Sequence, residues 1–153
     1  MDLDKILPVM LSGIREGEAD TVKAFISECG LHIEDLTPEK LRHFIVARKG
    51  SKIVGTVGIE AAGNDALLRS LAVAESFRRQ GLGSQLAASM EKYARDHKVK
   101  NLYLLTRTAE SFFSAVGFEK SDRAAAPAGI RDTEEFRTLC PDTAVCMRKK
   151  LVI

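Results

Sequence analysis

The sequence is poor in aromatic residues and cysteine: among 153 residues it has no tryptophan, two tyrosines and three cysteines. Cys29, Cys140 and Cys146 are not spaced as CxxC pairs, which argues against a disulfide framework and against a metal site. No stretch approaches the roughly 18 apolar residues of a membrane span, and the N-terminus lacks a signal-peptide pattern. We therefore expect a cytoplasmic protein with no metal and no membrane partner.

A strong charge of either sign is also missing. Lys and Arg number 23 against 21 Asp and Glu, a formal net charge of +2, which is too small to favour nucleic acid as the main partner. Apolar residues make up 45% of the chain, and no repeat or linker interrupts it. Residues 1–153 are therefore expected to form a single domain.

Alternating apolar patterns predict the element order β-α-α-β-β-β-α-β-α-β-α-β. Glycine-bearing turns at 49–52 and 63–65 join three antiparallel strands, the last of which covers 66–73. A helix beginning near Gly83 then leads to the strand 101–106, a crossover that parallel pairing requires. The expected fold class is therefore α/β, a mixed sheet with helices on both faces.

Several helix ends carry their own signals. Thr37 and Pro38 suit the N-cap and the first position of one helix, and Gly30 suits the C-cap of an earlier one. Asp132 and Glu135 have the spacing of a capping box, which predicts a small helix over 133–139.

The segment RRQGLGS at 78–84 opens the helix that follows the third of these strands. Gly81 and Gly83 allow a ligand to approach the main chain. We expect free first-turn amides at Gly83, Ser84 and Gln85, where the helix dipole favours an anion. The motifs GxGxxG and GxxxxGK[ST] are both absent. A diphosphate site and a plain glycine-containing helix start both fit this segment taken alone.

Two motifs, in this order, resemble the GNAT superfamily of acyl-CoA-dependent N-acetyltransferases. Arg78-x-x-Gly81-x-Gly83 matches its [RQ]-x-x-G-x-[GA] motif, and TRTAESFFSAVGF at 106–118 is similar to its second cofactor segment. The resemblance covers residues 8–151 and implies the GNAT fold, with the sheet opened into a V between the fourth and fifth strands. Acetyl-CoA is the implied co-substrate and lies in that opening.

The resemblance also implies roles for residues. Main-chain groups of Leu71, Ala72 and Val73 would bind the pantetheine and the thioester carbonyl. As catalytic groups, the amides of Leu71 and Ala72 would stabilise the tetrahedral intermediate. The implied cofactor-binding residues are Leu71, Ala72, Val73, Arg78, Arg79, Gln80, Gly81, Leu82, Gly83, Ser84, Thr106, Ala109 and Phe113.

Two positions depart from the family pattern. Phe113 stands where many members have a tyrosine as general acid, and Thr106 stands where asparagine is common. Ser111, Ser114 or Tyr103 can replace the acid. Alternatively, the CoA thiolate leaves unprotonated, since the pKa of a thiol is about 8.5. The residues leave this choice open.

A base must remove a proton from the acceptor amine before attack. Glu60, at the end of the strand paired with 66–73, is the candidate catalytic base, and a solvated strand-end carboxylate is the alternative reading. Arg69, Ser70 and Arg107 are candidate substrate-binding residues, because arginine pairs well with carboxylates. Ordinary surface arginines are the alternative there.

The segments LYLLTRTAESFFSAVGF and TEEFRTLCPDTAVCM further resemble the acetyltransferase part of N-acetylglutamate synthase and the small arsenic-resistance N-acetyltransferases. This implies direct acetyl transfer, in a ternary complex, to the α-amine of a small acidic amino acid or analogue, glutamate-like or arsinothricin-like. The alternatives are an acyl-CoA-binding sensor with weak catalysis and an acetyltransferase of a protein or aminoacyl-tRNA amine. A small-molecule amine is the expected partner, with a homodimer as an option.

Overall fold

The computed structural model describes residues 7–151. None of the helices in this range has the length and apolar character needed to traverse a bilayer. In chain order the strands and α-helices are β1 Val9–Gly13, α1 Ala19–Glu28, α2 Pro38–Leu41, β2 Phe44–Lys49, β3 Lys52–Ala62, β4 Asp65–Val73, α3 Leu82–Asp96, β5 Asn101–Thr106, α4 Glu110–Ala115, β6 Glu119–Lys120, α5 Ala128–Arg131 and β7 Val145–Lys150.

These strands form one mixed sheet in the order β1-β2-β3-β4-β5-β7-β6. The pairs β1–β2 and β2–β3 are antiparallel, β4 and β5 are parallel, and β7 is antiparallel to both β5 and β6. The predicted fold class, an open mixed α/β sheet with helices, is confirmed.

The parallel pairing of β4 with β5 is short. Residues 65–67 pair with residues 101–103, and within the described range the register goes no further. Since β4 continues to Val73, most of this strand extends beyond its pairing with β5.

By their packing, the described residues divide into two compact units. The first contains the described residues up to Gly58 together with Ser70–Met90. The second contains Ile59–Arg69 together with the described residues from Glu91. The divisions fall inside β3, β4 and α3, so each of these elements contributes residues to both units.

The first unit has an apolar core. Gly58 faces Phe44 across the β2–β3 pairing, and a Cβ at Gly58 would lie 2.3 Å from the Phe44 ring. Only glycine therefore fits beneath this ring. The buried members of the core are Val22, Ile26, Leu36, Leu41, Phe44, Val46 and Ile53.

The second unit has a separate core, formed by side chains of β4, β5 and β7 and of the segment between β6 and β7. Pro127 is the N-cap of α5, and its carbonyl accepts hydrogen bonds from the amides of Ile130 and Arg131. This places Ile130 fully inside. The buried members are Leu67, Tyr103, Ala126, Ile130, Phe136 and Cys146.

The helix signals around α1 and α2 are confirmed. Thr37 Oγ1 accepts a hydrogen bond from the Lys40 amide at 3.3 Å, and Pro38 is the first residue of α2. Gly30 follows α1 with a φ of +83°, a left-handed conformation that glycine adopts at little cost.

A short helical segment is present within the predicted range 133–139, but the capping box predicted for Asp132 and Glu135 is wrong. Asp132 is the C-cap of α5, and Glu135 begins a π-helical turn that ends at Leu139. Glu135 is 7% exposed, so its carboxylate serves a tertiary contact instead of a helix start. Local capping preferences are small enough for such a contact to override them.

Candidate active site

The segment between β4 and α3 is held in a loop by main-chain geometry. A 3₁₀ turn at Glu75–Phe77 follows β4. Arg79 and Gly81 then take φ values of +64° and +84°, and Gln80 Nε2 donates to the Ser76 carbonyl at 3.1 Å. Alternating left-handed residues turn successive amides of a loop toward one side, an arrangement typical of anion sites.

The helix starts earlier than the sequence predicts. The Gln85 amide donates to the Gly81 carbonyl at 3.0 Å, so the prediction that this amide lacks an intrahelical partner is wrong. With Leu82 as the first residue of α3, helix geometry leaves the amides of Leu82, Gly83 and Ser84 without intrahelical acceptors. The candidate anion site therefore shifts by one residue toward the loop.

Arg78 connects this loop to the end of β4. Its Nε donates to the Val73 carbonyl at 3.0 Å, and its guanidinium also lies by the thiol of Cys29. Burial raises the pKa of Cys29, against the opposing charge of Arg78. The side chains of Arg78, Arg79 and Gln80 are all on the solvent side.

β4 contains a strained residue at Ser70. Ser70 has a φ of +56°, a conformation that costs a non-glycine residue roughly 1–3 kcal/mol. Thr56 Oγ1 satisfies the Ser70 carbonyl with a hydrogen bond of 2.9 Å in the buried interior. Thr56 therefore contributes to this part of the candidate site, a role that the sequence pattern does not indicate. Irregular strand positions of this kind often re-aim main-chain groups beside active sites.

In the second unit, Arg69 lies between two carboxylates. Its Nη1 is 3.6 Å from Glu60 Oε2, and its Nη2 is 3.3 Å from Glu135 Oε1. The Arg69 side chain is 0% exposed, and those of Glu60 and Glu135 are 11% and 9% exposed. The structure therefore brings together the predicted base and one predicted substrate residue, and adds Glu135, which sequence reasoning assigned to a helix cap.

Cys140 lies beside the same charges. Burial, together with the Glu135 carboxylate, raises the pKa of the Cys140 thiol to about 11, while Arg123, Arg69 and Arg107 act in the opposite direction. Arg107 is exposed to solvent. The Arg123 guanidinium donates to main-chain carbonyls at the end of the π-helical turn, those of Phe136, Cys140 and Pro141, at 2.7–3.2 Å.

The second cofactor segment is arranged around α4. Thr106 Oγ1 accepts from the Ala109 amide at 3.0 Å, which holds the turn that leads into the helix. Phe113 is 6% exposed and packs edge-on against Phe118, with the ring centroids 5.6 Å apart. Phe113 thus fills the core under this helix and offers no proton.

The three candidate substitutes for a general acid differ in exposure. Ser111 and Ser114 are exposed on α4. Tyr103 is 7% exposed, and burial raises its pKa, which makes it a weaker acid than a free tyrosine.

Two other features lie outside this candidate site. Within residues 7–151, no group of three or more His, Cys, Asp or Glu residues is arranged to hold a metal ion. A cavity of about 430 Å³ runs along β6 and β7 and contains none of the predicted site residues. It is lined by Gly117, Glu119, Lys120, Ser121, Arg148, Lys149 and Lys150.

Solved structures share the fold. N-acetylglutamate synthase from Neisseria gonorrhoeae, complexed with coenzyme A and N-acetyl-glutamate, aligns with a TM-score of 0.82 and 17% identity, over 95% of this chain and 36% of that chain. A Mycobacterium tuberculosis protein in complex with CoA aligns with a TM-score of 0.79 and 19% identity, over 94% and 99% of the two chains. The chain thus has a fold that N-acetyltransferases use, and it spans about a third of the synthase chain.

Sequence comparison then gives the family. Residues 40–120, more than half of the chain, match the acetyltransferase (GNAT) domain model. An uncharacterized N-acetyltransferase of Chlorobaculum tepidum is 31% identical over 110 residues, which are 71% of this chain and 68% of that protein. The chain belongs to the GNAT family of N-acetyltransferases, and the resemblance carried by the two motifs is confirmed.

Proposed function

We propose that this protein transfers the acetyl group of acetyl-CoA to the α-amine of a small acidic amino acid or analogue, glutamate-like or arsinothricin-like, by direct transfer in a ternary complex. The observation that carries the proposal is the buried pair of Glu60 and Arg69, 3.6 Å apart, directly before Ser70 and Leu71 on β4. Glu60 is the carboxylate that takes a proton from the acceptor amine in this proposal, and the Arg69 guanidinium holds it in place.

On the donor side, the loop 78–84 takes the diphosphate of acetyl-CoA. The first-turn amides of α3 and the positive end of its dipole favour an anion there. Gly81, at a φ of +84° with no atom within 4 Å of an added Cβ, keeps the main chain open to the ligand. Structures of the same fold contain CoA, which supports acetyl-CoA as co-substrate.

For the reaction itself, Glu60 takes a proton from the acceptor ammonium, and the freed amine attacks the thioester carbonyl. Amides of Leu71 and Ala72 donate to the oxyanion that forms. When the tetrahedral intermediate collapses, the C–S bond breaks and the new C–N bond remains, the nitrogen loses its second proton to solvent to give the neutral amide, and CoA leaves as a thiolate. Because the pKa of such a thiol is about 8.5, water can protonate it, and Phe113 need not be replaced by another acid.

On the acceptor side, Arg69, Ser70 and Arg107 are the residues proposed to take part in acceptor binding. Arg69 is inside and already faces two carboxylates, whereas Arg107 is exposed. Arg107 is therefore the guanidinium that is open to a side-chain acid of the acceptor. The reaction is proposed to take place in the cytoplasm, with a free small molecule as the acceptor.

An acyl-CoA-binding sensor with weak catalysis is the second candidate, because Phe113 replaces a proton donor and is packed in the core. An acceptor panel separates the two functions. We expect CoA release, followed with a thiol reagent, to rise well above hydrolysis with L-glutamate, phosphinothricin or arsinothricin, and to stay at background with L-lysine amide. Background rates with all acceptors, combined with tight acetyl-CoA binding, would favour the sensor.

A further inference from the structure

Glu135 has no part in the reaction described above, yet it belongs to the same buried charge cluster as Glu60. One guanidinium, that of Arg69, faces both carboxylates, at 3.6 Å and 3.3 Å. All three side chains are almost fully buried: Arg69 is 0% exposed, Glu60 is 11% exposed and Glu135 is 9% exposed. Water screens such charges weakly, so each of them acts strongly on the other two.

The backbone at Glu135 is also unusual. Glu135 is the first residue of the π-helical turn that ends at Leu139. Turns of this type are rare and are frequently found at functional sites. A buried ion pair is weak evidence for stability, because the loss of hydration offsets its attraction. A role in the reaction accounts for both the rare turn and the buried carboxylate.

We propose that Glu135 is a positioning residue that shares the Arg69 guanidinium with Glu60 and thereby sets the strength of Glu60 as a base. The inference rests on the proposed function, in which Glu60 accepts the proton of the acceptor amine. A carboxylate at Glu135 offsets part of the positive charge of Arg69. Glu60 therefore accepts a proton more readily than it would beside Arg69 alone.

A test of this proposal must account for the other charged groups near the cluster. Arg107 and Arg123 also act on the Cys140 thiol that Glu135 and Arg69 face. We expect these groups to keep their positions when residue 135 alone is changed. A shift seen on neutralising Glu135 is therefore assigned to Glu135 and to its effect on Arg69.

The direct experiment follows the titration of Glu60 by NMR, in protein labelled with ¹³C at the glutamate carboxyls and with E60Q to assign its signal. We expect E135Q to lower the midpoint of the Glu60 titration, because it removes a like charge that shares the same guanidinium. The matched control E134Q, one residue away, should leave it unchanged. E135D, which keeps the charge, should leave the Glu60 midpoint close to that of the wild type. E135M removes the same charge without a polar amide, and it replaces E135Q if that variant does not fold.

Steady-state kinetics with L-glutamate test the same effect of Glu135 during turnover. In E135Q the acidic limb of the pH profile of kcat/KM should move to lower pH, while KM for acetyl-CoA stays within about twofold. An unchanged Glu60 midpoint in both neutral variants, or an equal shift in E134Q, overturns the inference. If the wild type acetylates no amine, the proposed function fails, and the NMR titration still decides the role of Glu135.

Discussion

At the scale of single residues, Gly81 offers the sharpest test of the proposed donor site. Gly81→Val should raise KM for acetyl-CoA roughly tenfold or more, equivalent to about 1.4 kcal/mol of binding, because a side chain would stand where the diphosphate approaches the main chain. Steady-state kinetics at saturating acceptor measure this effect.

Gly63→Val provides a matched control for Gly81→Val. Both glycines have positive φ values, +66° and +84°, and neither has an atom within 4 Å of an added Cβ. Both variants should therefore lose a similar stability, on the order of 1 kcal/mol, while only the change at Gly81 weakens acetyl-CoA. Equal KM values in the two variants would refute the loop assignment.

Cys140 allows a second test at this scale. Its pKa is raised to about 11 by burial and by Glu135, so the thiol stays protonated at neutral pH and is a poor nucleophile. The rate of Cys140 alkylation by iodoacetamide, followed by mass spectrometry of its peptide, should keep rising about tenfold per pH unit through pH 9.5. A rate that levels off near pH 8 would show an activated thiol and reopen a covalent acetyl-enzyme mechanism.

At the scale of elements, hydrogen bonds from Arg48 on β2 link this strand to β1 and to the start of α1. Its Nε donates to Glu18 Oε2 at 2.9 Å, its Nη1 to Ser12 Oγ at 2.6 Å and its Nη2 to the Gly13 carbonyl at 2.9 Å. Arg48 is 2% exposed. Arg48→Met should lower the free energy of unfolding at pH 7 by roughly 3 kcal/mol, because it leaves Glu18 without its buried partner. Denaturant unfolding measures this loss.

The same pair predicts a pH dependence with a defined sign. Hydrogen bonds from Arg48 lower the pKa of Glu18 below its ordinary value of 4.5. This stabilisation is therefore present above about pH 4.5 and is lost as the pH falls through the lowered pKa of the folded state. The difference between the wild type and Arg48→Met should shrink below pH 4. The control Arg42→Met changes an exposed arginine at the end of α2. It should show neither the loss of unfolding free energy nor its pH dependence.

The elements also show what the sequence could predict. Hairpins, the parallel crossover and the starts of α2 and α3 depend on local signals such as Gly50, Gly63 and Pro38, and they were predictable to within a few residues. The small helix over 133–139 was predicted as well, but its π-helical form was not, because the local spacing of Asp132 and Glu135 favours a cap, whereas in the structure Glu135 faces Arg69. The left-handed Ser70 was also unpredictable, since serine carries no signal for that conformation.

The candidate site, too, was predictable only in part. The loop at 78–84 was proposed as a diphosphate site from its motif alone, because the residues of the motif are consecutive. The cluster of Arg69, Glu60 and Glu135 is assembled from three separate segments, and a single sequence could offer only Arg69 and Glu60 as candidates. Thr56 is a further example, because its hydrogen bond to the Ser70 carbonyl depends on how β3 and β4 meet.

At the scale of the whole molecule, we propose that donor and acceptor react directly on one GNAT enzyme, without a covalent enzyme intermediate. Initial rates measured while both substrates are varied should give intersecting double-reciprocal lines, as a ternary complex requires. Parallel lines, the pattern of a ping-pong mechanism, would contradict direct transfer.

The most direct test of the central claim is to identify the product. The protein is incubated with acetyl-CoA labelled with ¹³C in the acetyl group and with L-glutamate, and the mixture is analysed by mass spectrometry. We predict labelled N-acetyl-glutamate and free CoA in equal amounts, with the label on the α-nitrogen and none on the protein. Release of CoA with labelled acetate alone, or a labelled protein residue that forms and decays at the rate of turnover, would contradict the account.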